Sequence, residues 1–288
     1  MTGAIDVLAG AHERIGELGL ARPAAFATQD EDPRAFLWWL LRMAGHTHRR
    51  LLDPMPAVDP ELSRRLEELL ARRPAEDAAH GQLHVDAQSV LRRAELVLER
   101  LSGSAGPVLA VGDDDGVTLA LALLGARDLV AVDVDARLLE WIEASGRALG
   151  TSVDVVELDV FGAAVPASLA GECAAVVTDP ARSFEDCDAF LRFGAACSRR
   201  EPAGVLIWVD HPDWNFEHAE VLAALPGLGL ACEETIELVH SYPLVPAWLP
   251  DPHDKALELG VDPAWLARLF EHTRAWSNAY VLRPAPRR

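Results

Sequence analysis

Residues Val108 to Gly116 read V-L-A-V-G-D-D-D-G, a short apolar run, a glycine and then three consecutive aspartates. Adjacent carboxylates repel and raise one another's pKa, so such a triplet persists where a cation, a polar ligand or nearby amides offset it. The pattern recurs along the chain. Leu129 to Val132 is followed by Asp133 and Asp135, Val153 to Leu158 by Asp159, and Ala174 to Thr178 by Asp179 and Pro180. In an open α/β sheet, ligands bind beyond the carboxyl ends of the strands, so four successive runs would deliver carboxylates to one edge. That chemistry suits a nucleoside-like, positively charged ligand such as a sulfonium nucleoside. Gly112 lets the backbone approach it, and Asp133, about 20 residues past the glycine turn, is placed to accept from both ribose hydroxyls. Asp159 can accept from an exocyclic adenine amine. Asp115 opens the first helix, where its carboxylate can sit on the helix N-terminus while facing a ligand ammonium. The loop has no P-loop lysine and keeps only Gly112 and Gly116 of a dinucleotide fingerprint; a phosphate would meet three negative charges, which argues against NAD and ATP. A carboxylate at Asp179 could orient an amine and take its proton as the amine attacks carbon beside a sulfonium. Two of these positions have structural alternatives: Asp135 reads as a helix N-cap, and Asp179 before Pro180 could equally punctuate a helix start.

Positioning such an edge requires repeated βαβ units. The apolar runs at 108–111, 129–132, 153–158, 174–178 and 204–209 are of the kind buried in a parallel sheet. Helical spacing over 118–124, 136–149, 184–198 and 216–225 supplies the crossovers. Two further runs, 231–240 and 278–283, suit a late antiparallel pair separated by an insertion. The expected architecture is therefore an α/β, class I methyltransferase-like (Rossmann-like) doubly wound sheet over residues 81–288. Residues 1–80 differ, with helical spacing over 5–18, 33–50 and 60–73 and Asp32-Pro33 and Asp59-Pro60 as starts, so a small helical N-terminal domain is expected. Phe36 to Met43 is apolar almost all round, which places Trp38 and Trp39 either in an interdomain core or at a homodimer seam. Pro74 to Gly81 has linker composition.

Half of the 288 residues are hydrophobic and 25% are charged, the composition of a folded soluble chain. A net charge of −19 opposes binding to phosphate backbones and favours cationic partners, so a small cationic amine is the expected substrate class and nucleic acid is not. No run suits a membrane span or a leader, and a cytoplasmic location is expected. Cys173, Cys187, Cys197 and Cys232 show no zinc or disulfide spacing, and no metal is expected.

With those residues in view, the stretch from about His84 to Tyr242 resembles the branched-chain polyamine synthases, the bis(aminopropyl)spermidine synthase family. The resemblance rests on Gly112-Asp113-Asp114-Asp115, on Asp133-Val-Asp135 with Leu138 to Glu143 behind it, and on Thr178-Asp179-Pro180. It implies transfer of an aminopropyl group from decarboxylated S-adenosylmethionine to an amine of a polyamine. It further implies that Asp113, Asp114, Asp115 and Asp179 bind the donor's amine and activate the acceptor, and that Asp133 holds the ribose. The family's Asp-Pro-Pro-acidic run is here Asp179-Pro180-Ala181-Arg182, and the cysteine-bearing N-terminal segment of some members is absent. Arg182 could neutralise a substrate carboxylate. That leaves open a methyltransferase or an aminocarboxypropyl transferase using intact S-adenosylmethionine on a small molecule; a non-catalytic binding protein keeping the fold is the other alternative. Trp214 and Tyr242, after the fifth and sixth runs, could hold a cationic chain by cation–π contact.

Overall fold

The computed structural model describes residues 2–25, 31–101, 105–201, 203–245 and 252–285. The first part of the chain forms helices α1 (Thr2–Leu8), α2 (Glu13–Glu17), α3 (Pro33–Leu52), α4 (Pro60–Leu70) and α5 (Ala87–Leu101). Then come β1 (Val108–Val111), α6 (Val117–Leu123), β2 (Leu129–Asp133), α7 (Ala136–Ala148), β3 (Val153–Glu157), β4 (Ala175–Thr178), α8 (Phe184–Cys197) and β5 (Val205–Asp210). The chain closes with α9 (His218–Ala224), β6 (Leu230–Pro243), α10 (Pro252–Leu259), α11 (Pro263–His272) and β7 (Arg274–Pro284).

These elements sort into two compact units that interleave in sequence: Met1–Pro56 with His211–Phe216 and Ser241–Ser277, and Ala57–Asp210 with Glu217–His240 and Asn278–Arg288. The helical N-terminal segment thus divides at residue 56 rather than at 80. The physical reason is α4, whose Leu66 is fully buried and which packs on α5 and α6 of the sheet-bearing unit.

In the first unit, Asp32 caps α3 by accepting from the amides of Arg34 and Ala35 at 3.0 Å, with Pro33 at the first helical position. Every side chain from Ala35 to Leu41 is buried, so the apolar-all-round stretch is the unit's central helix. Trp39 packs 5.9 Å from Phe36 and 5.5 Å from Trp214, and Trp38 lies 6.5 Å from Phe216, so both tryptophans are covered within one chain. Asp213 accepts from Arg42 at 2.9 Å and from His46 Nε2 at 2.8 Å. Burial opposes its ionisation, yet these hydrogen bonds hold its carboxyl well below the ordinary carboxylate range. The helix expected over 5–18 breaks into α1 and α2 beside Gly10, whose φ of +71° is left-handed.

In the second unit the sheet runs β3-β2-β1-β4-β5-β7-β6. Strands β1 to β5 are mutually parallel and β7 is antiparallel to β5, the class I methyltransferase-like arrangement. Helices α5, α6 and α7 contact one another in series, and α8 contacts α9, as expected of two layers around a doubly wound sheet. Leu109, Val111, Val132, Val176, Leu206 and Trp208 form the centre of a core closed by Leu191 and Phe193 of α8. Helix α5 is the principal element the sequence pattern did not bring out. Among the described residues no helix is long and apolar enough to cross a membrane.

Gly116 opens α6 with φ +73°, and a Cβ there would come 2.7 Å from Trp141 Cη2, deep in the packing of α7. Strain and overpacking act together, so Gly116→Ala should lower unfolding stability by about 1–3 kcal/mol, read as a drop in denaturant midpoint at unchanged m-value.

Candidate active site

The strand register places the acidic residues on one edge. Val111 pairs with Val132 on one side and with Thr178 on the other, so Gly112, Asp133 and Asp179 begin at the same level. Asp133 pairs with Glu157, which puts Asp159 just beyond the same edge. The Thr178 hydroxyl donates to the Val111 carbonyl at 2.9 Å and the Gly112 amide donates to the Val132 carbonyl at 2.9 Å, fixing the three ends together. The strand order reverses between β1 and β4, and the crevice at that point is where open α/β sheets take their ligands.

A cavity of about 480 Å³ occupies this crevice, and Asp114, Asp133, Asp159 and Asp179 all line it. Gly112 forms part of its floor with φ +68°; a Cβ there would come 2.8 Å from Phe190 Cε1. Phe190 and Phe161 make an apolar wall, their rings edge-to-face at 6.2 Å. The cavity thus offers an apolar aromatic face on one side and carboxylates spaced along the strand ends on the other.

The three consecutive aspartates have three different environments. Asp113 does not line the cavity. Its carboxylate turns into α6, accepting from the amides of Val117 at 2.6 Å and Thr118 at 3.2 Å and from the Thr118 hydroxyl. Burial pushes its pKa up to about 7, against those hydrogen bonds. Asp115 also stays out of the cavity. Its side chain accepts from Arg93, from the Val85 amide at 3.0 Å, and lies 3.6 Å from Arg73 Nη1. Burial would raise its pKa, but Arg93, His240 and Arg73 together hold it below the usual range. Asp114 alone reaches the cavity. Burial first, then the charges of Asp115 and Asp179, push it well above the usual carboxylate range, with Arg93 as the opposing influence. The capping and pairing demands of a glycine-poor turn thus claim the flanking two carboxylates and leave the middle one facing the cavity.

Asp133 accepts from the amides of Asp113 at 3.0 Å and Asp135 at 2.9 Å, which hold its carboxylate at the cavity wall; burial raises its pKa. Asp135 caps α7 and is clamped by Arg137 at 2.9 and 2.6 Å, which holds its pKa down to about 2. Asp159 is exposed and accepts from the Phe161 amide at 2.9 Å, shaping the turn that carries the aromatic wall. Asp179 Oδ2 lies 3.3 Å from Arg93 Nη1 and 3.6 Å from His240 Nδ1. One side-chain ligand atom from each of Asp115, Asp179 and His240 comes within 4.8 Å of the others, and Arg93 contacts both carboxylates.

Other expected contacts lie elsewhere. Arg182 is half-buried on the turn before α8 and does not line the cavity, which takes Asp179, Pro180 and Ala181 from that turn. Trp214 and Tyr242 are buried in the first unit, their rings edge-on at 6.0 Å. Arg73, Arg93, Phe161 and Phe190 are site residues that sequence reasoning missed. Arg93 had a signal: it sits three residues after Val90 and four before Val97 on the buried stripe of an amphipathic helix, where an arginine needs a buried partner.

The family model described as branched-chain polyamine synthase A C-terminal domain matches residues 61–243. The chain belongs to that family. An uncharacterized relative from Methanocaldococcus jannaschii is 26% identical over 174 residues, 59% of this chain and 43% of its own, so this chain spans under half of that curated relative. The branched-chain polyamine synthase of Thermus thermophilus, solved with N4-aminopropylspermidine and 5'-methylthioadenosine, matches with a TM-score of 0.60 at 20% identity, covering 79% of this chain and 65% of that one. Its C9 mutein, with the same two molecules, matches with a TM-score of 0.62 at 16% identity over 100% of this chain and 94% of its own. Those two likenesses show the fold, and the family match spans the whole acidic edge from Asp113 to Asp179.

Proposed function

We propose that this chain transfers an aminopropyl group from decarboxylated S-adenosylmethionine to an amine nitrogen of a polyamine-like acceptor. The observation that carries the reading is one cavity lined by Asp114, Asp133, Asp159 and Asp179 beside an aromatic wall. Family membership supports it, and the two molecules held by the Thermus relative have the chemistry of the two products of such a transfer. In this reading the adenine lies against the wall made by Phe161 and Phe190, Asp159 accepts from its amine and Asp133 from the ribose hydroxyls. Asp114 meets the donor's ammonium, and Asp179 meets the acceptor.

The acceptor's neutral nitrogen attacks the methylene carbon beside the sulfonium. A carbon–nitrogen bond forms, the carbon–sulfur bond breaks with its electron pair going to sulfur, and 5'-methylthioadenosine leaves as a neutral thioether. Asp179 accepts the hydrogen bond that aims the lone pair and receives the proton that the nitrogen sheds. Alignment of the two reactants supplies most of the acceleration, since the leaving group needs no protonation. Intact S-adenosylmethionine would carry an extra carboxylate into a cavity already lined by carboxylates, and Arg182 is not among the lining residues to neutralise it.

Incubating the protein with either donor and a panel of linear polyamines, then reading product masses, tests this reading. Products bearing one added aminopropyl unit, formed only with the decarboxylated donor, are expected. Methyl or aminocarboxypropyl products from the intact donor would replace the reading, and no product from either would favour a binding protein.

A further inference from the structure

We propose that Arg93 is a positioning residue of the transfer, a buried guanidinium that ties the loop after β1 to the end of β4 and so holds Asp179 in place for the acceptor. The inference rests on the aminopropyl-transfer reading. Its observations are geometric. The Arg93 side chain is only 4% exposed; Nη2 contacts Asp115 Oδ2, and Nη1 lies 3.3 Å from Asp179 Oδ2. One planar cation therefore joins carboxylates from two different strand ends, a geometry that the arginine fork provides and a lysine ammonium does not. Asp115 is itself anchored from other directions, by the Val85 amide at 3.0 Å and by Arg73 at 3.6 Å. The tether thus runs from a fixed point to the residue that lines the cavity.

The charge arithmetic points the same way. Asp179 is faced by Arg93 from α5, His240 from β6, Asp114 and Asp115 from the loop after β1, and Cys187 from α8. Asp115 is faced in addition by Arg73, from the turn after α4. Arg93 lies against both carboxylates and favours the ionised form of each, so removing it makes each harder to ionise. Less of Asp179 is then in the form that accepts the acceptor's proton. Arg93 also divides the labour among the aspartates, neutralising Asp115 and steadying Asp179 while Asp114 keeps the cavity's attraction for a cation.

The test compares the parent, Arg93→Lys, and the charge-conserving pair Arg93→Gln with Asp115→Asn. Each is assayed for 5'-methylthioadenosine binding, thermal unfolding, kcat and donor KM, and the pH dependence of kcat. Arg93→Lys should lower kcat about tenfold or more, with donor KM changed much less. The acid limb of its kcat profile should move upward by about one pH unit, because a lost cationic contact makes Asp179 harder to ionise. The paired variant restores charge balance without the bridge and should stay folded and bind the neutral nucleoside, yet remain slow. A parental kcat and pH profile in either variant overturns the inference, as does a loss of activity that only tracks lost nucleoside binding or folded fraction. A parent that forms no aminopropyl product overturns the transfer reading first; a competent parent with indifferent variants overturns this inference alone.

Discussion

Asp179→Asn is expected to lower kcat for aminopropyl transfer about 100-fold or more while leaving 5'-methylthioadenosine binding within about threefold of the parent. The substitution keeps size and an acceptor oxygen, and Arg93 keeps its contact with Asp115, so the edge of the sheet should stay assembled. What it removes is the charge that receives the acceptor's proton, since an amide oxygen accepts a hydrogen bond but is too weak a base to take the proton. The nucleoside contacts assigned to Asp133, Asp159 and the aromatic wall are untouched, so calorimetry with the neutral product separates lost chemistry from lost folding. Near-parental turnover in this variant would move the acceptor site away from β4 altogether.

Asp114→Asn is expected to weaken the cationic donor about 100-fold while scarcely changing the affinity for neutral 5'-methylthioadenosine. Asp114 is the one member of the triplet that lines the cavity, and burial with its anionic neighbours raises its pKa well above the usual range. A cationic tail binds the ionised carboxylate, so binding releases a proton from any molecule in which Asp114 is protonated, and donor affinity should climb as pH rises toward the raised pKa. The neutral nucleoside lacks that charge contact, and its affinity should vary less over the same range, through Asp133 alone. In Asp114→Asn the donor curve should flatten to that of the neutral nucleoside. A donor affinity independent of pH in the parent would show that the ammonium is held elsewhere.

Much of the second unit was legible because its signals are local. Each apolar run from Val108 to Val209 is short, β-rich and followed by an aspartate, directly or after Gly112, and the strands begin and end within a residue or two of those runs. The acidic strand ends were legible for the same reason, since strand-end residues of a parallel sheet share an edge by topology. Helix α5 was less visible because Arg92 and Arg93 interrupt its stripe, and the same interruption hid the arginine that bridges Asp115 and Asp179. The interleaving of the two units was not legible either: His211–Phe216 and Ser241–Ser277 join Met1–Pro56 through contacts distant in sequence.

The sequence by itself determined the doubly wound sheet, the gathering of carboxylates at its carboxyl edge and the likeness to one family, because periodicity, strand-end position and motif spacing are properties of neighbouring residues. Only the tertiary structure decided which carboxylate of the triplet lines the cavity. Asp113, Asp114 and Asp115 are alike in sequence, yet the first caps α6, the third pairs with Arg93 and the second reaches the cavity. That division depends on where amides and guanidinium groups from α4, α5 and α6 arrive, and a buried charge takes its role from the partners that packing brings to it.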